Sequence, residues 1–411
     1  MISNSPFHTL RIPEFRNLLT GRLFIVLAFR MLATLLGWWV YQLTNEAFAI
    51  GLIGLSEVVP AVTCALYAGH VIDNSEKKKL LLICSFAYIF LISLLLIPAF
   101  AKTELHFTGH QITYYIYGVI FFTGIARAFI GPIVPTMIPT IVRKENLQNA
   151  VTMNQATFLT SSISGHALGG FLIALIDIKW TLVVILCFIV IATFFFFTLN
   201  PQYPEKKNND LKVIESIKEG VQFILKTKEV LGALCLDMFA VLFGGAVAMI
   251  PVFAKDILNV GAGSYGALNA ASDLGAALVI ITLAFIPLKK NQGKILLVAV
   301  AGFGLCIIGF GMSKLYWLSF FFLLLSGILD GISVVIRGTI VQLKTPDAIR
   351  GRVMSVNSIF IMSSNELGQF ESGLAAKLLG PVKSVIFGGS MTLLVALTVG
   401  LTNSKLRKMK Y

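Results

Sequence analysis

Arg30, Glu57, Arg127, Asp237, Asp273, Asp330, Arg337, Glu366 and Glu371 all stand inside long apolar stretches of this chain. A charge at the centre of a bilayer costs about 2.5 kcal/mol or more, so packing alone would select an apolar residue at each place. Side chains kept there at such a cost carry protons or ions, bind a charged ligand, or pair with one another. A carboxyl group deprived of bulk water can take up and release a proton during a working cycle. Asp237 is the first candidate for that role, placed in the outer third of its span; Glu366, Glu371 and Arg127 stand behind it. Asp330 and Arg337 are seven positions apart, about 10 Å along one helix face, and so are better placed to meet other helices than each other. Arg127 and Arg337 fall at corresponding depths in the two halves of the chain, which leaves structural pairing near the inner ends open for both.

Helices that cross a membrane must hold these groups. Charged residues are 13% of the 411 and hydrophobic ones 56%, and the mean hydropathy is +0.84. Residues 80–101, 180–199, 295–313 and 384–404 are uncharged or nearly so over the roughly 18 positions a spanning helix needs. These runs do not alternate in the way transmembrane strands do. An all-α membrane protein follows, with spans expected at 18–44, 49–72, 80–101, 114–138, 151–176, 180–199, 230–254, 264–287, 294–313, 317–341, 353–379 and 382–403.

The exception to this apolar character is residues 201–228, a lysine-rich segment at the midpoint. It cannot enter hydrocarbon, so it divides the chain into a six-helix bundle (1–199), a central loop (200–229) and a second six-helix bundle (230–411). Residues 211–225 within the loop carry apolar side chains at helical spacing, as expected of an amphipathic helix on the inner bilayer surface. The net charge of +13 does not point to nucleic acid. About 23 Lys and Arg fall in one set of alternate loops and about five in the other, the asymmetry of the positive-inside rule. Both termini and the central loop are therefore expected in the cytoplasm. Cys64, Cys84, Cys187, Cys235 and Cys306 lie in apolar runs without metal-ligand spacing and read as packing residues. No nucleophile–base set, phosphate loop or metal cluster is visible, so neither an enzyme nor a cofactor is expected.

Two short motifs sharpen this. PTIVRKENLQNAVTMNQ in the first half corresponds to VQLKTPDAIRGRVMSVNS in the second, about 200 residues on, the mark of an internal repeat. The loop after the second span reads GHVIDNSEKKK. This resembles the hallmark loop of the major facilitator superfamily through Gly69, Asp73, Lys77 and Lys78, while Asn74 and Glu76 depart from it. The resemblance implies a gating contact between Asp73 and the start of the eleventh span, near residues 350–353, where helix-end amides favour a carboxylate.

RAFIG in span four, with Arg127 and Gly131, is similar to another motif of the superfamily. GHALGG in span five is similar to its antiporter motif, with His166 replacing proline; Gly165, Gly169 and Gly170 would let helices approach closely. GWWVYQLT, LDMFAVLFGGAVAMIPVFAKDIL, RGRVMSVN and NSIFIMSSNELGQFESGLAAKLLGP resemble the drug- and siderophore-exporter branch, enterobactin- and macrolide-type. That resemblance implies alternating access in a bacterial inner membrane and proton-coupled efflux of an amphipathic organic substrate, by a monomer whose partners are substrate, protons and lipid. An importer of a small polar nutrient and a non-transporting membrane receptor or scaffold are the alternative readings.

Overall fold

The protein is described by a computed structural model covering residues 8–101, 106–201, 213–286, 291–346, 349–407 and 409. All regular structure among these residues is helical, since a backbone in hydrocarbon must satisfy its own hydrogen bonds. The helices are α1 (Pro13–Thr44), α2 (Ala47–Asn74), α3 (Lys77–Phe100), α4 (Gly109–Ile141), α5 (Leu147–Phe197), α6 (Val213–Lys226), α7 (Lys228–Phe243), α8 (Ile250–Val252), α9 (Ala262–Phe285), α10 (Gln292–Met312), α11 (Tyr316–Lys344), α12 (Arg350–Leu379), α13 (Pro381–Thr402) and α14 (Ser404–Arg407). Among the described residues, nine helices are long and apolar enough to cross a bilayer: α1, α2, α3, α4, α5, α9, α10, α11 and α13.

Local sequence explains the ends. Pro13 opens α1, where its missing N–H costs nothing. Thr108 and Gln111 form a reciprocal capping box at the start of α4, at 3.3 and 2.9 Å. Asp177, with φ 71° and ψ 169°, breaks α5 between the expected fifth and sixth spans. The Thr181 hydroxyl then donates to the Asp177 carbonyl at 2.7 Å and secures the second segment.

One expected span is not a continuous helix. α7 stops at Phe243, and the chain goes on through a 3-10 turn (Ala246–Met249), α8 and a π turn (Phe253–Ile257). Gly244 and Gly245 sit at the break, pressed by the Phe303 ring and the Gly368 backbone, where a side chain has no room.

The chain divides into two compact units. The first takes Met1–Thr44 and Val59–Asn208; the second takes Asn45–Val58 and Asn209–Tyr411. In the first, α1 packs along α5 and α3 lies against α4 and α5. Leu18, Ile25 and Leu35 are fully buried with Ile185, Ile189 and Phe196. In the second, α9 packs on α11, α10 on α11 and α13, and α12 on α7 and α13. Gly275 meets the Leu324 carbonyl and Gly327 the Ser272 carbonyl, so α9 and α11 touch backbone to backbone. Large apolar side chains stay exposed, among them Phe90, Tyr114, Phe194, Phe285, Trp317 and Leu378, as suits a surface solvated by lipid.

The central amphipathic helix α6 packs against α12 and α7. Gly220 of α6 lies 3.0 Å, at its Cβ position, from the Arg352 carbonyl, and Glu219 forms an ion pair with Arg352. Ile224 is buried in a cluster with Val353, Val356, Leu406 and Met409. Residues 202–212 of the central segment, including Leu211 and Lys212, lie outside the described residues.

Candidate functional site

Polar groups gather at three places within the units. The first is where α7 meets α11. α7 contributes Asp237, nine residues from its loop-side end, and α11 contributes Arg337, seven from its own. Asp237 thus lies deeper toward the central segment than the outer third expected of it. Its carboxylate forms an ion pair with the Arg337 guanidinium, both side chains nearly wholly buried. Asp237, Asp330 and Ser333 line a cavity of about 10 Å³ with Ala240, Val241, Val300, Phe303 and Leu329, room for about one water. Asp330 of α11 and Asp273 of α9 stand on helices that pack together. The fold therefore sets Asp237, Arg337, Asp330 and Asp273, scattered over a hundred residues, in one unit on three helices.

The second place is α12. Glu366 is buried and accepts a hydrogen bond from the Gln369 side chain at 2.9 Å. Glu371, five residues on, is half-buried next to Ser372. Gly51 and Gly54 of α2 lie against the α12 backbone at Gln369, Gly373 and Glu366, where added Cβ atoms would fall 2.7–3.1 Å away. Glu57, one turn beyond Gly54, is half-buried. Neighbouring aromatics also meet here: Phe48 and Phe370 have ring centroids 6.0 Å apart, and Lys377 caps the Phe48 ring at 4.7 Å.

The third place is the α1–α5 seam. Gly165 faces Leu27 and Arg30, Gly169 faces Met31 and Thr34, and Gly170 is buried. His166 shares a 2.7 Å hydrogen bond with the Thr34 hydroxyl. Arg22 and Arg30 both point at the Phe158 ring, at 5.9 and 5.6 Å from its centroid. Sequence reasoning missed Phe158, together with Asn154 and Ser161 on the same face of α5. Their signal was present, two polar residues and a phenylalanine at helical spacing in a run with arginines opposite. Only the pairing of α1 with α5 makes it readable.

The remaining candidates lie outside these three places. Arg127 is half-buried on α4, and Gly131 faces open space. Gly69 is exposed with nothing within 4 Å of its Cβ position. Lys77 donates to the Thr136 carbonyl at 3.3 Å, and Lys78 lies 5.4 Å from the centroid of the Phe197 ring. The side chain of Asp73 lies outside the described residues.

Residues 4–411 match the family model described as transmembrane secretion effector, MFS_3. The enterobactin exporter EntS of Citrobacter koseri is 24% identical over 405 residues, covering 97% of this chain and 94% of the exporter. The enterobactin exporter EntS of Escherichia coli O1:K1 is 23% identical over the same shares. Among solved structures, a mutant of the nucleoside transporter NupG superposes with a TM-score of 0.75 at 13% identity, covering 94% of this chain and 99% of its own. The POT family transporter PepTSo gives 0.72 at 15% identity, covering 96% and 98%. Identities this low show the fold alone. With residues 4–411 matched, the chain belongs to the transmembrane secretion effector family of the major facilitator superfamily, a multi-pass membrane transporter and not an enzyme.

Proposed function

We propose that this protein exports an amphipathic, siderophore-like organic molecule by alternating access, driven by exchange with protons. The observation that carries the reading is the likeness to two enterobactin exporters over 97% of the chain. Twelve crossings, with both termini in the cytoplasm of a bacterial inner membrane, fit the helix list when α5 counts twice. α7 with its 3-10 and π continuation and the polar α12 then each count once. Six crossings on each side of the central segment make two bundles.

Coupling is assigned to Asp237. A carboxylate held by a guanidinium exchanges its proton only when the partner withdraws, so the Asp237–Arg337 pair is a device with two states. Glu366 and Glu371 on α12 are the next carriers in order, with Arg127 behind them. Asp73 is assigned a gating role, as the resemblance of its loop implies.

The test is transport by the purified protein in proteoliposomes, with an imposed pH gradient and a panel of siderophores and hydrophobic drugs. Movement of substrate out of the cytoplasmic-side compartment, enhanced by a gradient that drives protons the other way, is the expected result. Gradient-driven uptake of a small polar nutrient, with no response to siderophores or drugs, would overturn it.

A further inference from the structure

We infer that the α7–α11 contact of the second unit holds a site for one sodium ion, bound by Asp330, Ser333 and Asp237. The site shares Asp237 with the pair assigned to coupling, but it needs neither export nor proton exchange to hold.

Asp330 and Ser333 are three positions apart on α11, and Arg337 is four further on, so the three share one helix face. That face meets α7 at Asp237, where the ion pair with Arg337 forms. Asp237, Asp330 and Ser333 are the polar side chains lining the cavity of about 10 Å³ beside that pair; its other five residues are apolar. Arg337 balances one of the two carboxylates. Asp330 makes no ion pair or hydrogen bond among the described residues, and a bare carboxylate at this depth is costly. Ser333, only 3% exposed, likewise makes no hydrogen bond among the described residues. Its neighbours on α11 differ: the Ser326 hydroxyl donates to the Leu323 carbonyl at 2.7 Å, and that of Thr339 to the Val335 carbonyl at 2.8 Å. The Ser333 hydroxyl is therefore left to whatever fills the cavity. α9 adds negative charge nearby. Gly327 and Gly331, on either side of Asp330, meet Ser272 and Ala276, which bracket Asp273.

Charge and size select the occupant. A hard cation takes oxygen ligands, and two carboxylates and a hydroxyl supply them. Among the described residues no three His, Cys, Asp or Glu side chains converge as a metal site, and one unbalanced carboxylate matches a single positive charge rather than a divalent ion. A cavity of this volume is at the lower limit for one water, so sodium, smaller than water, fits where potassium is crowded. A proton on Asp330 would remove its charge but leave the Ser333 hydroxyl facing an unfilled space. Sodium there satisfies both groups and ties α7 to α11.

The experiment is thermal melting of the purified full-length protein in detergent, with sodium, potassium or choline chloride varied at constant ionic strength. A ligand that binds the folded form raises the melting temperature, and the dependence on its concentration reports its Kd. Sodium should raise it at concentrations at least about tenfold below those at which potassium does, and choline should not raise it. Asp330→Asn keeps the shape and should abolish the difference between sodium and choline. Ser333→Ala should raise the sodium Kd by about threefold or more, the usual loss for one neutral hydrogen-bonding group. Should Asp330→Asn fail to fold, Ser333→Ala decides alone. Equal rises in sodium and choline, equal affinity for sodium and potassium, or an undiminished sodium effect in the variants that fold would overturn the inference. No substrate or gradient enters the measurement, so its failure leaves the export reading standing. A sodium effect in a protein without gradient-driven export would remove the export reading alone.

Discussion

The Asp237 carboxylate is ion-paired with the Arg337 guanidinium across the α7–α11 contact, with side-chain exposures of 9% and 6%. Removing one partner from a buried pair leaves the other charge stranded, at a typical cost of about 3–5 kcal/mol, whereas removing both can be nearly neutral. Arg337→Met alone should therefore lower thermal stability more than the double variant with Asp237→Leu. Melting of the full-length protein in detergent across the four members of this cycle is the measurement. Strict additivity would show that the two groups are not coupled.

Asp237→Asn tests coupling, although by stranding the Arg337 charge it should also lower stability. It should abolish the response of transport to a pH gradient while downhill exchange of substrate persists. A variant that keeps the full response removes Asp237 as the carrier, and the same substitution passes to Glu366 and then Glu371.

The seam glycine Gly165 and Gly69, in the last turns of α2, should behave differently. Gly165 has the Arg30 Cβ at 2.6 Å and the Leu27 carbonyl at 2.8 Å from its Cβ position, whereas Gly69 has nothing within 4 Å. Gly165→Val should cost about 1–3 kcal/mol by overpacking α1 against α5, whereas Gly69→Ala, with open space inside a helix, should raise stability by about 0.5–1 kcal/mol or leave it unchanged. Transport lost in Gly69→Ala at full stability would place that residue in the working cycle.

Docking of α6 should depend on shape more than on charge. The Glu219 side chain is 47% exposed, and a solvated ion pair contributes only about 0.2–1 kcal/mol. Gly220, by contrast, lies against the Arg352 backbone. Gly220→Val should release α6 and speed hydrogen exchange over Val213–Lys226, while Glu219→Gln should barely change it. The reverse order would mean that the ion pair holds the helix.

Asp73→Asn keeps the shape of the side chain and removes its charge. A carboxylate at a helix start contributes about 0.3–2 kcal/mol, so transport should fall several-fold with folding intact. Unchanged transport would make it an ordinary surface acid. A tag between residues 206 and 210 should be reached from the cytoplasmic side only; labelling from outside intact cells would overturn the proposed orientation.

The membrane class, the helical content and most of the helix positions were legible in the sequence, because bilayer thickness and obligatory backbone hydrogen bonding act on local composition. The superfamily was legible for a related reason: GHVIDNSEKKK and GHALGG are short, contiguous motifs. What tertiary structure decided was which charge meets which. Asp237 and Arg337 lie a hundred residues apart, and no periodicity in either helix points to the other. The break in α7 depends on Phe303 and Gly368 from other helices pressing on Gly244 and Gly245. α6 looked like a surface helix because its amphipathic pattern does not say whether lipid or the start of α12 covers the apolar face. Phe158 read as one of many phenylalanines until α1 brought Arg22 and Arg30 to its ring. Local patterns record how a segment meets its solvent; the partner across a helix contact is set only when the helices pack.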